Sequence, residues 1–392
     1  MWLRILTLTL GAAAIGTEGF VLPGILPRIA HEFSVSVASS GQLVTLFGAV
    51  YALGSPLGTA LLANMNRRTL LITTVTLFGA GAMLEAMAPN VMAVAIARTL
   101  LAVLAGLYIP TAAAVAATLV APSQRGRALA LISGASSLAT VFGVPTGIWL
   151  ASRFGWRTTF GFIATLCIAS AIGITAALPP VPRLPPISLR ERVRLLGQGV
   201  VLTSLAVTTL WMMAGFIIYT YISPIMRELS HTSDATLSGL ILTWGVAGAV
   251  GSWLGGYGAD RFGATRVIIP LLVILAVNFL CLPWTASTIV GAAVFMSVWG
   301  AAGWGFSPPQ QHHLVRLAPA AAAVALSLNT SAIYLGISLG AGLGGVLLAS
   351  SGIQWLGVAA CLCDLVAVVL LLLTYPRAPA ALETSGRPGQ AE

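Results

Sequence analysis

Residues 256–266 read GYGADRFGATR, and residues 58–68, which lie 198 positions earlier, read GTALLANMNRR. A glycine opens and an arginine closes both stretches, and each follows an apolar run of the same kind. Gly147 and Gly345 repeat the correspondence at the same offset, which is about half of the 392 residues. The repeat predicts two homologous halves. In membrane proteins, two such halves around a central site indicate a transporter first.

Composition predicts an integral membrane protein. Hydrophobic residues make up 58% of the chain and charged residues 7%, with a mean hydropathy of +0.96, whereas a soluble domain carries about 25% charged residues. All 19 basic residues are arginines, which against 10 acidic residues give a net charge of +9, and no basic cluster is interleaved with aromatic residues. We therefore expect basic orienting loops and no nucleic-acid partner. The four cysteines fall inside apolar runs and behave there as small hydrophobic residues, so we expect neither a metal nor a cofactor.

Twelve apolar runs are long enough to cross about 30 Å of hydrocarbon, which takes about 20 helical residues. They lie at 3–25, 40–63, 69–88, 91–118, 128–151, 158–178, 199–222, 236–258, 267–283, 287–307, 319–347 and 354–375. A membrane-spanning strand needs only about 9–11 residues of alternating polarity, so these runs are predicted to be helices. The predicted fold class is an all-α membrane protein with twelve transmembrane helices in two six-helix halves.

The arginines predict the orientation of these spans. With the N-terminus in the cytoplasm, most of the 19 arginines fall on the inside, namely Arg4, Arg67, Arg68, Arg125, Arg127, Arg183, Arg190, Arg192, Arg194, Arg261, Arg266, Arg316, Arg377 and Arg387. The outside segments hold Arg28, Arg153, Arg157 and Arg227. Because basic residues concentrate in cytoplasmic loops, we expect both termini in the cytoplasm of a bacterial cell, with the chain in its inner membrane.

The longest break between the spans, residues 179–198, is rich first in proline and then in arginine. Proline interrupts a helix, and a basic segment suits the cytoplasmic membrane surface. We predict that this segment links an N-terminal half at 1–178 to a C-terminal half at 199–375. The tail at 376–392, rich in Pro, Gly, Ala and Ser, is expected to be disordered.

Four ionisable residues fall within the spans: Glu18, Glu85, Arg98 and Asp364. A charge at mid-membrane costs about 2.5–3.5 kcal/mol on insertion scales, so such residues face a protein interior or a cavity and find partners. Glu18 and Arg98 stand deepest, and we expect a proton-coupling pair in preference to a simple tie between helices. Glu85 lies near the end of its span and is expected to reach the interface. For Asp364 we favour a structural contact over a role in coupling.

The fifth span carries a run of small residues and a proline, namely Gly134, Gly143, Pro145 and Gly147. Small residues let helix backbones approach closely, and proline removes a backbone donor and bends the helix. The pattern fits a static packing interface, and it fits equally a moving seam between halves.

Taken in order, these motifs resemble the major facilitator superfamily, in particular its twelve-helix drug:proton antiporter group. The loop at 256–266 matches the family's G-x-x-x-D-R-x-G motif. The residues that carry this match are Gly256, Asp260, Arg261 and Gly263, with Arg266 after them. The first-half copy departs from it, because Ala63 and Asn64 stand where the family has Asp and Arg. The resemblance implies that these loops gate the cytoplasmic side, with a weakened latch in the first half.

Arg98, followed by Gly106, fits the family's helix-4 motif, and the glycines and proline of the fifth span resemble its exporter motif. The start of the chain, residues 16–27, looks like the branch that includes sugar-efflux, nucleoside-efflux and chloramphenicol-resistance transporters. That branch shares no single substrate. The resemblance covers essentially the whole chain.

The family's seventh, tenth and eleventh helices line its cavity, which implies candidate substrate contacts here. The candidates are Gln42, Trp211, Phe216, Tyr219, Trp299, Asn329 and Tyr334. Tyr219 is equally suited to anchor a helix at the interface, and polar helix packing explains Gln42 and Asn329 about as well. His312 and His313, after two prolines, are expected in a solvated cytoplasmic loop.

The sequence therefore predicts a monomeric, proton-coupled exporter of small apolar or amphipathic compounds, with Glu18 loading the proton and Arg98 tuning its affinity. No G-x-x-x-x-G-K-[ST] loop for ATP appears, nor an H-E-x-x-H motif of an enzyme. A sugar or nucleoside exporter and an uptake symporter of the same fold remain open.

Overall fold

The computed structural model describes residues 2–62, 64–121, 124–179, 181 and 189–374. Twelve long helices form a bundle and are numbered along the chain. The first six are α1 Trp2–Glu32, α2 Val37–Leu61, α3 Arg67–Ala86, α4 Val91–Thr118, α5 Arg125–Phe154 and α6 Arg157–Ala177. The next six are α7 Gly199–Tyr219, α8 Asp234–Phe262, α9 Ala264–Leu280, α10 Ile289–Leu317, α11 Ala322–Ser350 and α12 Gln354–Thr374. Shorter helices lie at Leu189–Leu196, Ile222–Ser230 and Leu282–Thr285.

Each predicted span falls on one of these twelve helices. Among the described residues, eleven are long and apolar enough to cross a membrane, and α9 is apolar but shorter, at 17 residues. The prediction of an all-α, multi-span membrane protein is confirmed. The tail at 376–392, the last residue of the predicted second half and the prolines at 182–186 lie outside the described residues.

α1 extends beyond the predicted span at 3–25 and continues through Pro23 and Pro27 to Glu32. Proline removes a single backbone donor, and side chains hold the additional turns. The Glu32 carboxylate pairs with Arg157 and accepts a hydrogen bond from the Trp156 indole at the start of α6. The outer end of α1 is thus joined to α6.

The two histidines after α10's prolines do not lie in a loop. α10 continues through Pro308 and Pro309 to Leu317, so His312 and His313 are helical residues. The amide of Gln310 donates to the carbonyl of Ser204 on α7, at 2.7 Å, which secures this end of α10 against its neighbour. The predicted cytoplasmic loop begins only after Leu317.

α5 is irregular around its proline. Residues Ala139–Gly143 form a π turn, in which the Val144 amide donates to the carbonyl of Ala139. Pro145, which follows, has no amide hydrogen to offer, and π turns of this kind are frequent at functional sites. The irregular turn faces α1 and α8.

The basic part of the linker forms a helix, Leu189–Leu196, and its place at the membrane surface stays a prediction. Arg192 on this helix is buried, and its guanidinium donates to the hydroxyl of Thr59 on α2, at 3.2 Å. Leu195 packs among the ends of α7, α10 and α11. The linker helix therefore contacts helices on both sides of the linker.

Helices before and after the linker meet chiefly along α2 and α11. The hydroxyl of Ser338 donates to the carbonyl of Thr45 at 2.9 Å, and Arg28 at the end of α1 pairs with Asp234 at the start of α8. At the opposite end of α2, Leu61 is 81% exposed. If the termini are cytoplasmic, as the arginines predict, the joined end is extracellular.

Candidate transport site

A cluster of three ionisable side chains lies inside the first six helices. Glu18 comes from α1, Glu85 from α3 and Arg98 from α4, and all three residues have no solvent exposure. Nη1 of Arg98 lies 2.8 Å from Oε1 of Glu18 and 3.2 Å from Oε1 of Glu85. The structure thus brings together the two residues that the sequence pairs, and adds a second acid.

The expectation that Glu85 reaches the membrane interface is wrong. Its carboxylate accepts a hydrogen bond from Arg98 and is fully buried. α3 ends at Ala86, but helical side chains point toward the N-terminus of their own helix, so Glu85 turns back into the bundle. Arg98 on the antiparallel α4 points outward by the same rule, and the two side chains meet.

The cluster carries more acid than base. With every group ionised, Glu18, Glu85 and Arg98 sum to one negative charge. Within the described part of the chain, Oε2 of Glu18, Oε2 of Glu85 and Nε of Arg98 have no hydrogen-bond partner. Buried ion pairs are favourable only when their remaining polar atoms are satisfied, and one bound proton would neutralise the net charge.

Phe47 on α2 connects this cluster to the second set of helices. The Arg98 guanidinium lies 5.1 Å from the centre of the Phe47 ring, a cation–π contact. The same ring lies 6.3 Å from that of Tyr334 on α11. Tyr334 stacks on Tyr51 of α2, with ring centres 3.4 Å apart. A chain of rings therefore leads from the guanidinium to the interface between α2 and α11.

An aromatic cavity lies on the other side of α1. Its wall contains aromatic, aliphatic and glycine residues, namely Phe20, Trp211, Met212, Gly215, Phe216, Tyr219, Trp244, Leu275, Phe279, Trp299, Gly303 and Trp304. No acidic, basic or amide side chain lines it. Such a wall favours apolar and aromatic ligands, which stack on the rings.

Four of the seven candidate substrate contacts lie together in this wall: Trp211, Phe216, Tyr219 and Trp299. Their role stays a prediction. The hydroxyl of Tyr219 donates to the carbonyl of Phe20 at 3.0 Å, so this side chain is a contact between helices of the two sets. The sequence did not single out Phe20, Trp244 or Phe279, because helices 1, 8 and 9 were not expected to line the cavity.

The other three candidates lie elsewhere. Tyr334 packs between α2 and α11. Gln42 is exposed and lies close to Gly345 of α11, since a Cβ added to that glycine would lie 2.5 Å from the Gln42 amide nitrogen. Asn329 accepts a hydrogen bond from Thr208 at 2.8 Å, and Thr208 accepts one from Gln310 at 2.9 Å.

The small residues of α5 lie against α1. A Cβ on Gly143 would lie 2.0 Å from Oγ1 of Thr17, and one on Gly147 would lie 2.7 Å from Val21. Pro145 follows the π turn, while Gly134 approaches only its own helix. Because Thr17 precedes Glu18, this contact fixes α5 beside the buried cluster.

Replacing Gly143 by Ala is expected to lower transport severely and to destabilise the fold by about 1–3 kcal/mol, the usual cost of overpacking. Transport in vesicles and thermal unfolding in detergent measure the two effects. Gly161→Ala on α6, where a Cβ would meet nothing within 4 Å, is the control and should be neutral. Adding Thr17→Ala to Gly143→Ala should recover part of the loss, and an unimpaired Gly143→Ala protein would contradict the role of this contact.

The predicted gating loop joins α8 to α9 through a single residue. Gly263 has φ +88°, a backbone conformation that glycine adopts without strain, and Gly256 lies against Pro308 of α10. Asp260, Arg261 and Arg266 are exposed, and Arg261 donates to Tyr257 of its own helix at 3.1 Å. In this conformation the acid of the motif forms no described hydrogen bond or ion pair, so its gating role stays a prediction.

Asp364 lacks the structural contact that the sequence analysis favours. It lies in α12 with no solvent exposure, and neither carboxylate oxygen has a hydrogen-bond partner among residues 2–374 that the structure describes. This acid is therefore buried and unpaired, unlike Glu18 and Glu85.

A multi-span bundle with a buried charge cluster beside a cavity is typical of a membrane transporter, and comparison with known proteins identifies the family. The family model of the Major Facilitator Superfamily matches residues 8–325. This chain belongs to the major facilitator superfamily.

Relatives along the whole length are transporters and not enzymes. Inner membrane transport protein YdhP of Escherichia coli (strain K12) is 32% identical over 376 residues, covering 96% of each chain. A protein named "Probable sugar efflux transporter" from Mannheimia succiniciproducens is 29% identical, also covering 96% of each chain. The crystal structure of the human organic anion transporter MFSD10 superposes with a TM-score of 0.71 at 17% identity, covering 94% of this chain and 98% of that one, a likeness of fold alone.

Proposed function

We propose that this chain is a proton-coupled secondary transporter that exports small apolar or amphipathic compounds. The two halves, residues 1–178 and 199–375, would alternate access to a site between them. The observation that carries the proposal is the position of α1. On one side Glu18 joins the buried charge cluster, and two residues later Phe20 forms part of the cavity wall.

The charge cluster supports proton coupling. Arg98 neutralises only one of the two carboxylates, so a proton bound between Glu18 and Glu85 would cancel the remaining negative charge. Losing that proton would strengthen the attraction of both carboxylates for Arg98, because charges interact strongly where water is excluded. This stronger attraction would pull α1, α3 and α4 together. The contacts of α1 with α5 would transmit the movement toward the C-terminal half.

The cavity wall supports the substrate class. A site for a polar substrate needs hydrogen-bonding groups that would be left unpaired by an apolar one. Here the aromatic wall offers stacking surfaces, and the indole nitrogen of Trp244 has no described hydrogen-bond partner. A flat, largely apolar compound with one acceptor group fits these features best.

A sugar or nucleoside exporter is the second candidate, and two observations favour it. One relative bears the name of a sugar efflux transporter. In addition, Gln310, Thr208 and Asn329 form a buried polar chain one turn along α7 from Trp211 in the cavity wall, and amides bind hydroxyl-rich ligands well.

Growth of cells that express or lack the protein, on a panel of antibiotics, dyes, sugars and nucleosides, distinguishes these candidates. We expect resistance to apolar aromatic compounds and lower dye accumulation, abolished by a protonophore. Resistance confined to sugars or nucleosides would select the second candidate. Accumulation of a substrate inside energised cells would identify an uptake symporter and contradict export.

Replacing Trp299 by Ala is expected to raise the KM for an exported aromatic compound about tenfold, equivalent to about 1.4 kcal/mol of binding. Trp299 is 4% exposed and lies 5.5 Å from the rings of both Trp244 and Phe279. Initial transport rates in inverted vesicles measure the change. Trp253→Ala on α8, where the side chain is 70% exposed, is the matched control. Equal KM values for the two variants would exclude the aromatic cavity as the substrate site.

A further inference from the structure

The unpaired carboxylate of Asp364 lies on an apolar face of α12. The buried residues of this face are Leu356, Gly357, Ala360, Cys361, Asp364, Ala367, Val368 and Leu371. The helix packs mainly against α7 and α9, with further contacts to α11 and to the short helix Leu282–Thr285. Asp364 is therefore enclosed by the protein and does not face lipid.

The charged and titratable groups near this face offer no counter-ion. Those carried by α12 and the elements packed against it are Tyr219, Arg266, Cys281, Tyr334, Cys361 and Cys363. The one cation among them, Arg266, is exposed in the first turn of α9. No ion pair or hydrogen bond within the described residues reaches the Asp364 carboxylate.

An ionised carboxylate in this place would be strongly unfavourable. Moving an isolated charge into an apolar interior costs far more than moving the neutral group, so an unpaired buried acid keeps its proton. The neutral carboxylic acid is the form that the α7–α9–α12 packing accommodates. A neutral Asp364 would hold one proton in the second set of helices.

Two of the helices around Asp364 also line the aromatic cavity. Met212 and Gly215 of α7 and Leu275 and Phe279 of α9 line the aromatic wall. A substrate that displaces α7 relative to α9 changes the same seam into which Asp364 is packed. Water reaching the seam would lower the cost of the charged form and release the proton.

We propose that Asp364 is a second proton-binding site of this transporter, separate from the Glu18–Arg98–Glu85 cluster. It is occupied in the present conformation and releases its proton when the α7–α9–α12 seam opens. The inference goes beyond the proposed function, which uses only the first-half cluster. The protonation of Asp364 does not depend on what the protein transports.

Infrared spectroscopy of the purified protein in lipid tests the protonation directly. We expect a carbonyl stretch of a protonated carboxylic acid in the wild type and in Glu18→Gln that is present at neutral pH and weakens as the pH is raised, and that is absent from Asp364→Asn. An isosteric Asn replaces the neutral acid with little change of shape. If that variant is not recovered, Asp364→Glu should shift the band. Identical spectra in the wild type and either Asp364 variant would overturn the proposal.

A native cysteine reports on the opening of the seam. Cys361 is buried, one turn from Asp364 on the same face, and can be kept as the sole thiol after replacing Cys167, Cys281 and Cys363 by Ala. We expect its alkylation by a maleimide to rise with pH several-fold more than in the same protein carrying Asp364→Asn. An ionised Asp364 would disfavour the neighbouring thiolate, so a steeper rise in the protein that keeps Asp364 can come only from greater access to the thiol.

The outcomes separate this inference from the proposed function. Equal pH dependence of Cys361 alkylation in the two proteins would show that Asp364 does not change its protonation, and would overturn the inference even if transport is proton-coupled. A wild type that transports without moving protons would refute proton coupling through Glu18. The infrared band and the Cys361 comparison would still decide whether Asp364 binds and releases a proton.

Discussion

Replacing Arg98 by Ala is expected to reduce transport at least a hundredfold and to destabilise the folded protein by about 3–5 kcal/mol, the range for breaking one side of a buried ion pair. Both carboxylates in contact with its Nη1 lose the one cation that pairs with them among the described residues, and the Phe47 ring loses its guanidinium. Transport in vesicles and thermal unfolding in detergent measure the two effects. Arg98→Lys should recover part of each, because Lys keeps the charge but lacks the planar set of donors.

A neutral cluster provides the control for Arg98. The triple variant Arg98→Ala, Glu18→Gln, Glu85→Gln removes every charge, so it should recover most of the lost stability but none of the transport. Recovery of both would mean that the cluster serves only the fold. Full activity in Arg98→Ala alone would remove this residue from the mechanism.

Replacing Glu18 by Gln is expected to abolish proton-driven transport, seen as a loss of at least about tenfold, while substrate exchange without a proton gradient continues. Gln keeps the shape of the side chain but binds no proton and leaves Arg98 with a single acid partner, Glu85. Inverted vesicles loaded with a pH-sensitive dye measure proton movement, and isotopic counterflow measures exchange.

Glu32→Gln is the matched control for Glu18→Gln. Glu32 lies at the end of the same helix, but its side chain is 41% exposed and pairs with Arg157 at the surface. Its replacement should leave proton coupling intact. Normal proton exchange in Glu18→Gln, or an equal loss in both variants, would assign Glu18 a structural role.

The twelve helices could be predicted from the sequence because each is a long apolar run, and the length that spans a bilayer is a strong constraint. The ends of the helices were harder to predict. α1 extends to Glu32, whose carboxylate binds partners at the start of α6. α10 extends past two prolines, and Gln310 after them bonds to Ser204 on α7. Both contacts join residues far apart in the chain.

The buried cluster could be predicted in part. Glu18 and Arg98 stand out because they lie in the middle of apolar runs. Glu85 lies one residue from the end of α3, and position along the helix alone suggested an interfacial side chain. The direction of helical side chains is the physical rule that would have turned Glu85 toward Arg98.

The cavity was harder to predict, because which face of a helix lines it depends on packing between helices far apart in the chain. Trp211 and Trp299 were found through the family's pattern, whereas Trp244 and Phe279 lie on helices that the pattern leaves out. Gln42 and Tyr334 looked like pocket residues by type, yet they lie outside the aromatic wall.

The position of Phe20, two residues after Glu18 on α1, sets a size threshold for the cargo on the proposed mechanism. A molecule large enough to fill the aromatic cavity would press on Phe20 and so move the helix that carries the acid. A smaller molecule occupies the same space without displacing that ring and leaves the proton where it is. Compounds too small to reach Phe20 would then move without a proton, so molecular volume, together with the apolar chemistry of the cavity wall, would define the spectrum of exported compounds.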